Sequence, residues 1–100
     1  MKAVIICGPT GAGKSSLALN LAEKFKGVII NADSVQIYRE IKILSGRPTS
    51  DDYRKAPHRL YGIMSIFKPC TLGIWRKMAL ETIKECELSG RLPIICGGTG

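Results

Sequence analysis

No apolar run in this 100-residue sequence approaches the length of a membrane span. Its apolar runs, such as Ala3 to Cys7 and Val28 to Ile30, fall far short of the roughly 20 residues that a spanning helix requires. No secretory signal pattern opens the sequence, so a cytoplasmic protein with no membrane contact is expected. Acidic residues are scarce, 8 against 15 Lys and Arg, and the net charge is +7. Charge of that sign favours polyanionic partners through its field and through counterion release, although a solvated basic surface would account for it as well. The four cysteines, Cys7, Cys70, Cys86 and Cys96, form no Cys-x-x-Cys pair, and His58 has no second histidine beside it. That pattern suggests neither a disulfide framework nor a zinc knuckle, and the thiols are expected to be core groups of a reducing compartment. There are no internal repeats and no low-complexity stretches, and the length leaves no room for a second full domain.

The 45% apolar content suits one small globular domain. Lys2 to Cys7 reads as a buried strand, a continuous apolar run stopped by Gly8-Pro9. From Gly13 to about Phe25, Leu17, Leu21 and Phe25 recur every four residues with Ala18 and Ala22 beside them. This is an apolar helix face, with Gly27 as the expected stop. Gly27 to Asn31 is a second strand that ends in Ala32-Asp33-Ser34. Residues 34 to 69 mix periodicities around Pro48, Pro57 and Pro69, and are expected to hold a short helix plus loops. Thr71 to Leu88 predicts a helix with Trp75, Met78/Ala79, Thr82/Ile83 and Cys86 on one face and Gly90 as its stop. Arg91 to Cys96 predicts a third strand, followed by Gly97-Gly98-Thr99-Gly100. Strands alternating with helices imply an α/β fold, a parallel sheet with helices on both faces, and the glycine-rich stretch Gly8 to Ser15 between the first strand and helix makes it P-loop NTPase-like. Because the sequence stops on a glycine cluster after a strand, the domain is expected to be incomplete, the first part of a longer protein.

Gly8-Pro9-Thr10-Gly11-Ala12-Gly13-Lys14-Ser15 matches Gly-x-x-x-x-Gly-Lys-Ser/Thr, between a strand and a helix as the motif requires. The glycines let backbone N–H groups converge on phosphate oxygens, the helix start adds positive potential, Lys14 adds a charge, and Ser15 offers a hydroxyl to Mg²⁺. An ordinary NTPase would close a later strand with an acid, but here that strand ends in glycines. The well-placed acid is Asp33, after the second strand, where it could accept a proton from a nucleophile lying against the bound phosphates. Asp33 or Ser34 could equally cap the next segment. Gly97-Gly98-Thr99-Gly100 permits close backbone approach, and Thr99 could bond a substrate or a neighbouring loop. His58, among Arg54, Lys55 and Arg59, is expected to resist protonation and to serve structure or an RNA edge. Trp75 is expected in the core.

Four stretches taken together carry a resemblance: the loop Gly8 to Ser15, Asp33-Ser34-Val35-Gln36-Ile37-Tyr38-Arg39, Ala56-Pro57-His58-Arg59-Leu60, and Gly97-Gly98-Thr99-Gly100. In this order and spacing the sequence resembles the amino-terminal part of the tRNA dimethylallyltransferases, also called tRNA isopentenyltransferases. The resemblance implies transfer of a dimethylallyl group from dimethylallyl diphosphate to N6 of adenine 37, beside the anticodon of tRNA. It implies that the loop holds a diphosphate leaving group with Mg²⁺, and that Asp33 takes the proton from the amino group. Lys14 would stabilise the departing charge and Thr10 would bond the reacting groups. Ser34, Val35, Gln36 and Thr99 would line the flipped-out base, since a stacked adenine hides its amino edge. Arg59 stands where the family often has a second histidine, and would add a phosphate-binding charge. Family members run well beyond this length, so a segment of this size could fold without being active. A monomer is expected.

Two other readings fit the loop. A small-molecule kinase of the shikimate-kinase type, using ATP, also pairs such a loop with an Asp after its second strand. The basic cluster from Arg39 to Arg59 and the run Gln36-Ile37-Tyr38-Arg39 have no obvious purpose there. A nucleotide-binding module without chemistry would have no need of Asp33.

Overall fold

The structure, a computed structural model, describes residues 3–8, 14–33, 37–39, 48–65 and 67–98. The elements are β1 (Val4–Gly8), α1 (Lys14–Phe25), β2 (Gly27–Asn31), α2 (Ser50–Lys55), β3 (His58–Arg59), α3 (Leu72–Leu88) and β4 (Leu92–Gly98). All strand pairs are parallel, and the sheet order is β1-β4-β2-β3.

The helices cover both faces, and β2 shows why. All five of its residues are buried. Ile29 joins Ile6, Ile94, Cys96, Ala18, Ala22 and Ala56 on the α1 side. Val28 and Ile30 join Leu60, Ala79 and Cys86 on the α3 side. Alternate residues of one strand thus enter two different cores, and both require apolar side chains. This is the α/β arrangement expected from the sequence.

Four local findings differ from the expectations. The sequence pattern put Leu17, Leu21 and Phe25 on the buried face of α1, but Leu17 and Phe25 are about half exposed and the residues pressed on the sheet are Ala18 and Ala22. Small side chains let the helix axis lie close to the strands. The helix stop is Lys26, in the left-handed region at φ 53°, while Gly27 already belongs to β2. Glycine is required there for space: a Cβ would lie 2.6 Å from Ile94 Cδ1 and 2.9 Å from Ala22 Cα. The stretch 34 to 69 holds the short helix α2, closed at its start by a Thr49–Asp52 capping box. It also holds an unexpected strand, β3, whose His58 and Arg59 pair with Ile29 and Ile30. The strand expected to be third is therefore the fourth, and it inserts between β1 and β2.

The helix α3 matches its expected face, with Ala79, Thr82 and Cys86 buried and Trp75, Met78 and Ile83 packed at the margin. Thr71 caps its start by accepting from the Ile74 N–H. Gly90, at φ 68°, ends it. There the N–H of Arg91 bonds Cys86 O at 2.9 Å and that of Gly90 bonds Glu87 O at 3.3 Å, a Schellman closure. Among the described residues no helix is long and apolar enough to cross a membrane.

Candidate functional site

Because every strand runs in the same direction, all the carboxyl ends share one edge of the sheet, where ligands gather in such folds. Strand β1 arrives there at Gly8, and α1 starts at Lys14. A strand leading into a helix across a short glycine-rich segment is the frame that a phosphate-binding loop needs. Pro9, Thr10, Gly11, Ala12 and Gly13 lie outside the described residues, as do the side chains of Lys14 and Ser15. Strand β4 emerges beside β1, with Gly97 opposite Cys7 and Gly98 opposite Gly8. Strand β2 emerges on the other side of β4 and leads to Asp33. The loop-bearing strand and the Asp33-bearing strand are thus two strand spacings apart, about 10 Å. The floor between them is Gly97 and Gly98, which project no side chain. A Cβ on Gly97 would stand 3.1 Å from Ala32 Cβ, so the closeness of β4 to the segment before Asp33 depends on glycine. Ser34, Val35, Gln36 and Thr99 lie outside the described residues.

Asp33 is half-buried, and its main chain is held from both ends by one side chain. Asn31 is fully buried. Its Oδ1 accepts from the Asp33 N–H at 2.8 Å, and its Nδ2 donates to the Asp33 carbonyl and to the Leu60 carbonyl, both at 3.0 Å. The Ala32 N–H continues the ladder to Cys96 O at 2.9 Å, and Trp75 Nε1–H donates to Asn31 O at 2.7 Å. Asn31 and the polar end of Trp75 were not anticipated. The available signal was an amide closing a fully buried apolar strand, a costly place for a polar group unless each of its atoms has a partner. Beside this corner Ala32, Ile37, Cys70, Thr71, Leu72 and Trp75 line a hollow of about 210 Å³.

The segment after β3 approaches the same edge. The Tyr61 ring lies 5.8 Å from that of His58, which in turn lies 5.0 Å from Tyr53, both pairs tilted. Burial pushes the Tyr61 hydroxyl well above its ordinary range, and the charge of Asp33 is among the smaller contributions in the same direction. His58 Nδ1 stands 2.8 Å from Ala56 O, which ties the ring to the end of α2. Its resistance to protonation has a different cause from the one anticipated. Burial lowers its pKa, while the Ala56 bond and Asp52 oppose the shift; the basic neighbours do not lead. The Arg59 guanidinium bonds Glu85 Oε2 at 2.7 Å, which ties β3 to α3. Cys86 and Cys96 are buried thiols and Cys70 is half-buried. Among the described residues no cluster of His, Cys, Asp or Glu could hold a metal by itself.

The family profile described as IPP transferase matches residues 36–100, and the one described as isopentenyl transferase matches residues 1–67. The chain belongs to the IPP transferase family. A tRNA dimethylallyltransferase of Rhodospirillum rubrum is 50% identical over 97 residues, which is 97% of this chain and 30% of that protein. The crystal structure of the full-length tRNA isopentenylpyrophosphate transferase of Bacillus halodurans superposes with a TM-score of 0.90 at 34% identity, over 99% of this chain and 33% of that one. A eukaryotic dimethylallyltransferase acting on tRNA superposes with a TM-score of 0.84 at 28% identity, over 97% of this chain and 24% of that one. The chain therefore spans about a third or less of the length of the relatives it matches.

Proposed function

We propose that this chain is the diphosphate-holding part of a tRNA prenyltransferase that moves a dimethylallyl group from dimethylallyl diphosphate to N6 of adenine 37. Family membership supports the reaction class. The observation that carries the assignment of roles is the placement of β1 and Asp33 on opposite sides of the Gly97-Gly98 floor. The loop Gly8 to Ser15 would hold the diphosphate on one side, and Asp33 would meet the nucleophile on the other.

In this reading the N6–carbon bond forms as the carbon–oxygen bond to diphosphate breaks. The diphosphate leaves with the electron pair, and the N6 proton passes to Asp33. Lys14, at the first position of α1, would meet the charge that develops on the leaving group, and Thr10 would bond the reacting groups. Ser34, Val35, Gln36 and Thr99 would receive the extruded base. Ser15, in the first turn of α1, suits a Mg²⁺ ion held mainly by phosphate oxygens, because such an ion needs few protein ligands. When bound, Mg²⁺ supplies charge neutralisation at the diphosphate. The +7 charge suits a tRNA partner, and the reaction belongs in the cytoplasm.

The test incubates the full-length protein with labelled dimethylallyl diphosphate and tRNA, and in parallel with ATP and shikimate. Label is expected in tRNA and to depend on Mg²⁺. Transfer from ATP to the small acid, with none to tRNA, would replace this reading with a kinase.

A further inference from the structure

We propose that Asn31 is the positioning residue for Asp33, the group that fixes where its carboxylate points. This rests on the reading of Asp33 as the base. A carboxylate directs proton transfer only from a defined position, and that position is set by the φ and ψ of its own residue before any side-chain torsion. Asn31 bonds both the N–H and the carbonyl of Asp33, so a single buried amide defines the peptide units on either side of the Asp33 Cα. Its second Nδ2 proton goes to Leu60 O. Both donors of the amide are therefore used, and the side chain has no freedom to rotate.

The amide is itself anchored. Its main chain is part of β2, paired through Asn31 with Cys96 of β4, and its carbonyl receives the Trp75 indole N–H. Leu60, the third partner, is a buried leucine held at φ 67°, a conformation that bulky residues adopt only when their surroundings impose it. Strain of this kind is maintained where a precise local geometry is needed. An apolar residue at 31 would extend the two cores that Val28, Ile29 and Ile30 already fill, with no polar group to satisfy. Asparagine there adds a fixed orientation for Asp33.

The test uses the full-length protein with Asn31→Ser, which retains an acceptor for the Asp33 N–H but loses the reach to Leu60, and Asn31→Asp, which removes both donors at unchanged shape. Each is combined with Asp33→Ala, and melting temperatures confirm that all variants are folded at the assay temperature. Transfer is followed by single-turnover label incorporation, long enough to record the residual reaction. Loss of position predicts that kcat falls about 10- to 100-fold, with KM for dimethylallyl diphosphate within about twofold, since the diphosphate sits on the other side of the floor. In the Asp33→Ala background the same substitutions are expected to cost less than about threefold, because the group they position is gone. An equal loss in both backgrounds, a rise in KM with kcat intact, or unchanged turnover in Asn31→Asp would overturn the proposal while leaving Asp33 as the base. Wild-type turnover in Asp33→Ala alone would overturn both.

Discussion

Trp75 of α3 donates its indole N–H to the main-chain carbonyl of Asn31 across a separation of 44 residues. The bond joins the start of the long helix to the end of the central strand, so the helix reports on the same corner as Asp33. Phenylalanine at 75 keeps an aromatic ring but leaves that carbonyl without its partner. Trp75→Phe is expected to lower unfolding free energy by about 1–2 kcal/mol, measured by urea titration with circular dichroism. An unchanged midpoint would show that the bond contributes nothing net.

Two glycines are required for different reasons, and alanine at each separates them. At Gly27 a Cβ would enter the space of Ile94 Cδ1, Ala22 Cα and Leu92 O, two of which are backbone atoms. Gly27→Ala is expected to cost about 1–3 kcal/mol through overpacking. At Gly90 a Cβ meets nothing within 4 Å, but φ is 68°. Gly90→Ala is expected to cost about 1–2 kcal/mol through the left-handed backbone alone. Asparagine, which tolerates that region, should recover part of the loss at 90 and none at 27.

Acid should weaken the fold through His58. Burial holds its folded pKa below the ordinary 6.5, so the folded state binds this proton less readily than the unfolded chain does. The stability associated with the neutral ring is complete above the unfolded value and is lost as pH falls below it toward the folded value. Melting temperature is expected to drop between about pH 7 and pH 5, and His58→Gln should reduce that slope. Parallel curves for the two proteins would show that other groups cause it.

The Arg59–Glu85 pair is exposed on both sides, with side-chain exposures of 45% and 58%. Glu85→Gln is therefore expected to change stability by less than about 1 kcal/mol, and the change should fade with added salt. Diphosphate binding in the full-length protein, measured by calorimetry, is expected to be unaffected by Arg59→Ala. A clear loss of binding would instead support the phosphate-binding charge that the family resemblance implies for Arg59.

The sequence made visible those elements whose pattern runs long enough to have a period. Strand β2 and helix α3 were found within a residue or so of their bounds, because one is continuously apolar and the other repeats for four turns. Strand β3 could not be read, since two residues, His58 and Arg59, carry no periodicity and neither favours a strand. They pair only because Ala56 and Leu60 on either side are drawn into the two cores. The exposed Leu17 and Phe25 misled for a related reason: periodicity locates a helical face, but the volume available against the sheet selects alanine over leucine within it. In the site, the loop and Asp33 stood out as chemical types at strand ends. The role proposed for Asn31 did not, because its partners are main-chain atoms, one of them 29 residues away.

The sheet order also sets a schedule for assembly. Strands β1 and β2 are neighbours in sequence but not in space, and β4, synthesised last of the four, is the strand that touches both. Until residues 92–98 emerge, the two strands share helix α1 as a neighbour but no strand between them fixes their register. A nascent chain arrested before Leu92 should therefore bind neither ligand in register, and the site should appear in a single step when β4 closes the gap.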